Sequence, residues 1–236
     1  MGPQPLPHYG VTRIVVDIET LALPLDTFDA TQQEYLLRFA NTDSEREDAL
    51  LKLNLYPATA QTLAIGILNP DSGGGRVFVT APELASWSSL DGLVQFVPGT
   101  ETEVLQHFWQ DVLPYRQIIT FNGRGFDCPF LLFRSAVLGV RPTRNLMGNR
   151  YDTAGHVDLL DQLTFYGALR KFNLDFYCKV FGIESPKAHG ITGLDLGGLV
   201  AEGRYKDIAE YCLGDVRATA ELFRRWDATL NFDARR

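Results

Sequence analysis

The stretch VTRIVVDIET, residues 11–20, joins a run of β-branched and aliphatic residues to two carboxylates. Residues 12–18 are typical of a buried strand, because apolar β-branched side chains dominate a short, uninterrupted run. Asp17 and Glu19 then point to the same face, since side chains two positions apart in a strand share a face. Two like charges held this close repel each other unless a positive group lies between them. We therefore expect a positively charged partner beside the two carboxylates at the end of this strand.

The composition is that of an ordinary globular protein, with 236 residues of which 45% are hydrophobic. There is no apolar run of 18 residues, and the start MGPQPLPHYG lacks a charged segment followed by an apolar one. We therefore expect no membrane span, no signal peptide and a cytoplasmic location. Cys128, Cys178 and Cys212 are odd in number and form no CxxC pair, which argues against a disulfide framework or a zinc site and favours buried thiols.

The formal charge is −7, from 22 basic and 29 acidic residues. This sign excludes binding of nucleic acid through overall charge, so a polyanion must be bound locally. One stretch is locally basic and is either such a site or a solvated surface, and the sequence leaves both open. It contains Arg116, Arg124, Arg134, Arg141, Arg144 and Arg150 against a single acid, Asp127.

The order of elements predicts an α/β fold. After the first strand, QTLAIGIL (61–68) and GRVFVT (75–80) are typical of two strands joined by the turn NPDSGGG. Strands at 116–122 and in AGHVDLL then alternate with helical patterns, the last of which covers 205–226. We expect a mixed five-stranded sheet flanked by helices on both sides.

A polar, helix-periodic insert, about residues 26–56, follows the first strand. It either restricts a cleft to single strands or covers the edge of the sheet, and we favour the second. Its apolar residues mark one adhesive face: Tyr35, Leu36, Phe39, Leu50, Leu51 and Leu55.

Two further carboxylates stand in apolar surroundings. Asp127 begins the helix in TFNGRGFDCPFL, where a helix N-cap would explain it. Asp215 lies within the last helix, four residues after Tyr211 and on the same helix face. With Asp17 and Glu19 they can converge only if cations neutralise them, and a cluster of carboxylates without His or Cys selects Mg²⁺ or Mn²⁺ over zinc. Two such ions about 4 Å apart suit phosphodiester hydrolysis.

DIET (17–20), NGRGFD (122–127) and YCLGD (211–215) follow one another in the chain. This order, D-x-E-T, N-x-x-x-F-D and Y-x-x-x-D, resembles the three exonuclease motifs of the tyrosine branch (DEDDy) of the DEDD superfamily. Glu210 stands where the histidine branch has its histidine. From about residue 12 to 226, the chain resembles stand-alone predicted 3′–5′ exonucleases related to the proofreading domain of family-B DNA polymerases. HVDLLD (156–161) and the approach GRYKDIAEYCLGDVRAT support the resemblance.

The resemblance implies a single ribonuclease H-like domain over residues 1–236, with its core at about 12–226. It also implies a metal-dependent 3′–5′ exonuclease with a two-metal-ion mechanism, acting on the 3′ end of a single strand. DNA is favoured as the substrate, and RNA stays open. Asp17, Glu19 and Asp215 would hold the Mg²⁺ or Mn²⁺ that activates water, with Asp17 also reaching a second ion. Asp127 would support that second ion through water.

Tyr211 would orient the attacking water, since a phenol with an ordinary pKa near 10 is a poor base. Thr20, Asn122 and Phe126 match positions that touch the terminal nucleotide in the family that the chain resembles. Two other classes remain open: a catalytically silent nucleic-acid-binding or scaffold protein, and a nuclease of the same fold that cuts internally.

Four other polar residues receive simpler expectations. Lys187 and His189 either contact phosphate or are merely solvated, and the second is favoured. Asp158 and Asp161 are expected to cap the helix that follows the fifth strand.

Overall fold

The computed structural model describes residues 12–184, 193 and 195–232. Within these ranges the strands form one mixed sheet in the order β4-β5-β3-β2-β1-β6-β7. β1 pairs antiparallel with β2 and parallel with β6, so it lies in the middle of the sheet. The strands are β1 Arg13–Ala22, β2 Ala60–Leu68, β3 Gly75–Thr80, β4 Trp87–Ser88, β5 Val94–Gly99, β6 Gln117–Thr120 and β7 His156–Asp158.

The mixed α/β class is confirmed, but the expected strand count of five is wrong. The sheet has seven strands because β4 and β5 add to it beyond β3. β5 runs parallel to β3, and β4 pairs antiparallel with β5 at the edge. Neither strand has a clear sequence signal, since β4 has only two residues and β5 contains Pro98, which cannot donate a hydrogen bond to a neighbouring strand.

Helices cover both faces of the sheet. α3 and α4 pack on one face, where Phe108, Trp109 and Leu131 belong to the buried core. α8 crosses the other face, where Val216 and Phe223 are buried. The helices are α1 Ala30–Leu37, α2 Asp43–Lys52, α3 Glu101–Asp111, α4 Asp127–Val137, α5 Leu159–Leu163, α6 Leu174–Val180, α7 Leu196–Ala201 and α8 Tyr205–Thr229.

The alternation of β1 decides where its carboxylates point. Ile14, Val16 and Ile18 are buried in the core beneath α3 and α4, whereas Val15 belongs to the core beneath α8. The pairing of β1 with β2 is regular from Val15 to Glu19 and shifts register after Glu19. Asp17 and Glu19 therefore share the face of Val15 and point toward α8.

The insert consists of α1 and α2, with a 3₁₀ turn on either side. Its last turn, Leu53–Leu55, packs against β1 and β2. These are interior strands, so the expectation that the insert covers the edge of the sheet is wrong. The adhesive face points largely to solvent, since Tyr35 and Phe39 are 61% and 76% exposed. Both helices begin with a capping box, which stabilises them without a buried face.

The guanidinium groups of four of the six arginines in the basic stretch hydrogen-bond within the protein, and that of Arg150 is also 49% exposed. Binding of a polyanion by this stretch stays a prediction. Arg134 forms a two-fold ion pair with Glu101, and Arg150 pairs with Asp161. Arg124 donates to the carbonyls of Gly148 and Asn149, and Arg144 donates to those of Tyr115, Arg116 and Gly155.

In the part of the chain that the structure describes, no helix combines the length and the apolar character that crossing a membrane needs. The N-terminal stretch considered as a signal peptide, residues 1–10, lies outside the described residues. Lys187 and His189 lie outside them as well.

Candidate active site

The two carboxylates of β1 lie together beneath α8. One carboxylate oxygen each of Asp17 and Glu19 and the Sγ of Cys212 all lie within 4.8 Å of one another. Glu19 is buried, and so is Cys212. The side-chain pair predicted from the strand period therefore exists, with a thiol beside it that the sequence did not indicate.

Asp127 approaches this pair from the first turn of α4. Its Oδ1 accepts a hydrogen bond of 3.1 Å from the backbone N–H of Ile18, the residue between the two β1 carboxylates. Asp127 is buried, and the N-cap of α4 is Phe126. The simple reading of Asp127 as a helix cap is therefore wrong, because its side chain is directed to β1.

The turn between β6 and α4 is built for this approach. Asn122 has a left-handed backbone with φ of 61°. A Cβ at Gly123 would lie 2.4 Å from the side chain of Thr120, so only glycine fits there. The carboxylate of Asp158 accepts hydrogen bonds of 2.9 Å from the backbone N–H groups of Asn122 and Arg124. These constraints explain the spacing of NGRGFD.

Asp158 also accepts a hydrogen bond from the backbone N–H of Leu160 and is the N-cap of α5, as predicted. The same expectation for Asp161 is wrong. Asp161 lies inside α5, where its carboxylate pairs with Arg150.

α8 supplies the remaining polar groups. Tyr211 and Asp215 lie one helical turn apart on α8, and the Tyr211 hydroxyl interacts with the Asp215 carboxylate. Burial, followed by the charges of Asp215, Glu19 and Asp17, raises the pKa of Tyr211 above its usual value. The phenol therefore stays protonated at neutral pH and can donate a hydrogen bond.

These residues surround a cleft of about 480 Å³. Asn122 and Phe126, two of the three predicted nucleotide contacts, are in its wall. Among the described lining residues, Lys171 carries the one basic side chain. The lining comprises Asp17, Ile18, Phe121, Asn122, Phe126, Asp127, Leu160, Lys171, Phe172, Asn173, Leu174, Asp175, Tyr211 and Asp215.

Thr20, the third predicted nucleotide contact, is buried beside the insert. Its hydroxyl donates a hydrogen bond of 2.9 Å to the carbonyl of Asn54. Its contact with a nucleotide stays a prediction.

Burial and mutual repulsion raise the pKa values of three of these carboxylates. Burial is the largest cause that raises the pKa of Asp17, and the charges of Asp127, Asp215 and Glu19 add to it. The pKa of Glu19 is raised by burial and then by Asp215 and Asp127. The pKa of Asp127 rises from 3.8 to about 7, chiefly through burial, against the opposing effect of backbone N–H donors. Because the other carboxylates contribute to each of these raised pKa values, all four lie close enough to interact electrostatically.

The donor set suits a hard divalent cation. Four carboxylates offer the oxygen ligands that Mg²⁺ and Mn²⁺ prefer, and a cation would relieve their repulsion. Burial and the neighbouring carboxylates raise the pKa of the Cys212 thiol well above its usual value, so the sulfur stays protonated and is a weak ligand. Cys128 and Cys178 are buried free thiols too, as predicted.

Sequence reasoning missed the segment 170–176, RKFNLDF, of which residues 171–175 form one wall of the cleft. Its signal was a pair of basic residues followed by two aromatic ones. The same pattern also fits the amphipathic start of a short helix, α6, so it did not indicate a site.

Comparison with known proteins identifies the family to which this fold and this site belong. A family model described as "Predicted 3'-5' exonuclease related to the exonuclease domain of PolB" matches residues 92–231. The chain belongs to this family, and its membership supports a nuclease function. The match includes Asp127, Tyr211 and Asp215, whereas Asp17 and Glu19 precede it.

Two relatives extend the comparison. DNA polymerase 1 of Saccharolobus solfataricus is 27% identical over 147 residues, which cover 56% of this chain and 16% of the polymerase. The structure of the family B DNA polymerase from Pyrobaculum calidifontis superposes with a TM-score of 0.60 at 19% identity, covering 96% of this chain and 25% of that one. The chain thus has the ribonuclease H-like fold of a polymerase exonuclease domain and spans a quarter or less of each polymerase.

Proposed function

We propose that this protein is a metal-dependent 3′–5′ exonuclease that removes nucleotides from the 3′ end of a single strand, preferentially DNA. The observation that carries the proposal is that Asp17, Asp127 and Asp215 line one cleft, while a carboxylate oxygen of Glu19 lies within 4.8 Å of one of Asp17. Such a concentration of buried negative charge needs a cation, and the chain brings its acids together from three separate elements.

The four carboxylates would hold two divalent cations. When bound, such ions supply a water of lowered pKa and neutralise the charge on the leaving 3′ oxygen. The rigid mounting of Asp17 and Glu19 on a central strand fixes their oxygens before the substrate arrives, which lowers the reorganisation needed during reaction.

Tyr211 would position the nucleophile rather than remove its proton. Its hydroxyl interacts with Asp215 and stays protonated because its pKa is raised. A protonated phenol cannot act as a general base, but it can orient a water for in-line attack on the phosphorus. Asn122 and Phe126 line the same cleft. An amide and an aromatic ring there suit hydrogen bonding to, and stacking on, a terminal base.

Digestion of end-labelled oligonucleotides tests the proposal. Matched DNA and RNA single strands with either a 3′ or a 5′ label are incubated with Mg²⁺, with Mn²⁺ and with EDTA. We expect a 3′ label to be released at once as a mononucleotide, a 5′ label to yield a descending ladder, and EDTA to abolish both.

A circular single strand completes the experiment. An exonuclease needs an end and leaves the circle intact, whereas cleavage of the circle assigns the fold to internal cutting. Metal-independent products, or strand binding without any turnover, would refute the proposal. The Asp17→Asn variant controls for contaminating nucleases, since a copurified activity survives that substitution.

A further inference from the structure

The wall of the cleft formed by residues 171–175 continues outward as a row of rings. The Phe172 ring lies in the cleft and stacks on that of Phe176, with 4.2 Å between centroids and 10° between planes. The guanidinium carbon of Arg170 lies 5.0 Å from the centroid of Phe172. Tyr177 contacts Phe172 edge-on, and its ring also packs against Phe121 at 5.8 Å. An aromatic path therefore leads from inside the cleft to the surface.

The outer end of this path is open to solvent. Phe176 is 45% exposed, and Arg170 and Lys171 are exposed as well. α6, which carries Phe176, buries only Cys178 among its described residues. The Phe172–Phe176 pair therefore contributes little to the core, and packing alone gives no reason to hold two stacked rings under a guanidinium here.

Unpaired nucleotides match this surface. Every base presents a π face that stacks on an aromatic ring regardless of sequence, and basic side chains beside the rings meet the phosphates. The acid in the segment, Asp175, pairs with Lys179 at 2.9 Å, so its charge is partly offset. The protein as a whole carries a charge of −7, and this basic segment borders the acidic centre of the cleft.

We infer that Arg170, Phe172 and Phe176 form a stacking ledge for the unpaired nucleotides that precede the 3′-terminal one. Phe172 joins the ledge to the cleft, Phe176 stacks a base further out, and Arg170 binds a backbone phosphate. A base in a duplex has no free face for the rings, so the ledge selects single strands. This inference rests on the proposed function, because it takes the cleft as the place where the 3′ end is bound.

The test compares Phe176→Leu and Arg170→Gln with the unaltered protein, since neither residue lines the cleft. Affinity for a fluorescent 12-nucleotide single strand is measured with Ca²⁺ in place of Mg²⁺, in the Asp17→Asn background. We expect Phe176→Leu to weaken binding roughly tenfold, as loss of one stacked base does. For Arg170→Gln we expect the slope of log Kd against log salt to fall by about 0.7, the value for one phosphate on a single strand.

Turnover of two substrates separates the ledge from the cleft. The 12-nucleotide strand spans both, whereas the p-nitrophenyl ester of thymidine 5′-monophosphate fills only the cleft. With Asp17 restored, we expect Phe176→Leu to raise KM for the strand about tenfold with kcat nearly unchanged, and to change kcat/KM for the ester less than twofold. Phe133→Leu, an exposed ring on α4, and Arg225→Gln on α8 are the matched controls and leave all values unchanged.

Three outcomes would overturn the ledge. These are unchanged affinity and KM in both variants with native unfolding temperatures, a parallel loss of ester turnover, and an equal loss of affinity for a blunt duplex. The proposed function fails separately. Suppose that the unaltered protein cleaves neither substrate, yet the two variants bind the single strand more weakly than it does. The proposed exonuclease activity is then refuted, and the ledge stands as a binding site for single strands.

Discussion

The Cα atoms of Asp17 and Gly66 face each other across the β1–β2 pairing. A Cβ at Gly66 would lie 2.8 Å from Cγ1 of Val216 and 3.0 Å from the Sγ of Cys212, both on α8. The helix that carries Tyr211 and Asp215 thus rests on the strand residue opposite the first carboxylate. The absence of a side chain at Gly66 sets how closely the last helix approaches the acids of β1.

Gly66→Ala is therefore expected to damage the site as well as the core. The added methyl group must push α8 away from β2, which costs about 1–3 kcal/mol as overpacking does, and moves Asp215 from its partners. Urea unfolding and the nuclease rate measure the two effects. Gly155→Ala is the control, because a Cβ there meets nothing within 4 Å. Equal stability of the two variants would contradict the prediction.

Asp17→Asn is expected to remove nuclease activity while stabilising the metal-free protein by about 1 kcal/mol, because one of four mutually repelling carboxylates becomes neutral. Mg²⁺ should raise the unfolding temperature of the natural sequence and raise that of the variant much less. Calorimetry with EDTA and with Mg²⁺ measures this. The exposed Asp71→Asn serves as the comparison, and a variant less stable than Asp71→Asn in EDTA would argue against the charge repulsion.

Tyr211→Phe keeps the ring and removes the hydroxyl that interacts with Asp215. We expect kcat to fall by about 10²-fold with little change in KM, as for loss of a group that positions the nucleophile. Because the pKa of Tyr211 is raised, the rate should show no alkaline limb from this residue below its ordinary pKa near 10. Steady-state rates from pH 6 to 9.5 check both statements. A rate that rises with pH across this range only in the unsubstituted enzyme would identify Tyr211 as a base.

Arg134→Ala is expected to cost about 3–5 kcal/mol, since it leaves the buried carboxylate of Glu101 without its partner. Arg134 also donates to the carbonyl of Pro57, and so links α4 to the segment after the insert. Chemical unfolding measures the loss. Arg225→Ala breaks an exposed ion pair with Glu221 and should cost less than about 1 kcal/mol. If the two losses were similar, the structural role of Arg134 would be refuted.

His156 gives the protein a sensitivity to acid. Burial, followed by the charge of Arg124, lowers the pKa of His156 from 6.5 to about 4. A depressed pKa in the folded state means that the stabilising contribution is complete above pH 6.5 and is lost as the pH falls toward 4. The ring is held by Thr120 Oγ1 at 2.8 Å and by the carbonyl of Leu146 at 3.2 Å.

His156→Gln removes the titration. Between pH 7 and pH 4, the free energy of unfolding of the natural protein should fall by about 3 kcal/mol more than that of the variant. Unfolding in urea at several pH values gives the difference, in which the other titrating groups cancel. Parallel pH curves would contradict the assignment.

Local sequence patterns predict most of the fold. The period of two in β1 and the apolar runs of β2, β3 and β6 are properties of each segment alone, so the sequence predicts them. β4 and β5 form because a neighbouring strand completes their hydrogen bonds, and no short segment shows that. The prediction for the insert failed for a similar reason. Its apolar residues predict a covered helix face, whereas no residue of α1 or α2 is buried.

The residues of the candidate site likewise divide into those that local patterns predict and those that depend on tertiary structure. Asp17, Glu19 and the Tyr211–Asp215 pair follow from strand and helix periods. The contact of Asp127 with Ile18 N–H depends on how α4 meets β1, and a sequence shows only that an acid begins a helix. The place of Cys212 depends on close approach at Gly66. Tertiary distance is the information that periodicity does not contain.

The carboxylates of the cleft come from elements that lie far apart in the chain, since Asp17 is on β1 and Asp215 on α8. During translation, a nascent chain exposes Asp17, Glu19 and Asp127 well before α8 leaves the ribosome and settles over Gly66. On the proposed function, an incomplete chain is therefore harmless to the nucleic acids around it. On the same proposal, the acidic centre is completed last, so that synthesis itself delays the onset of cleavage.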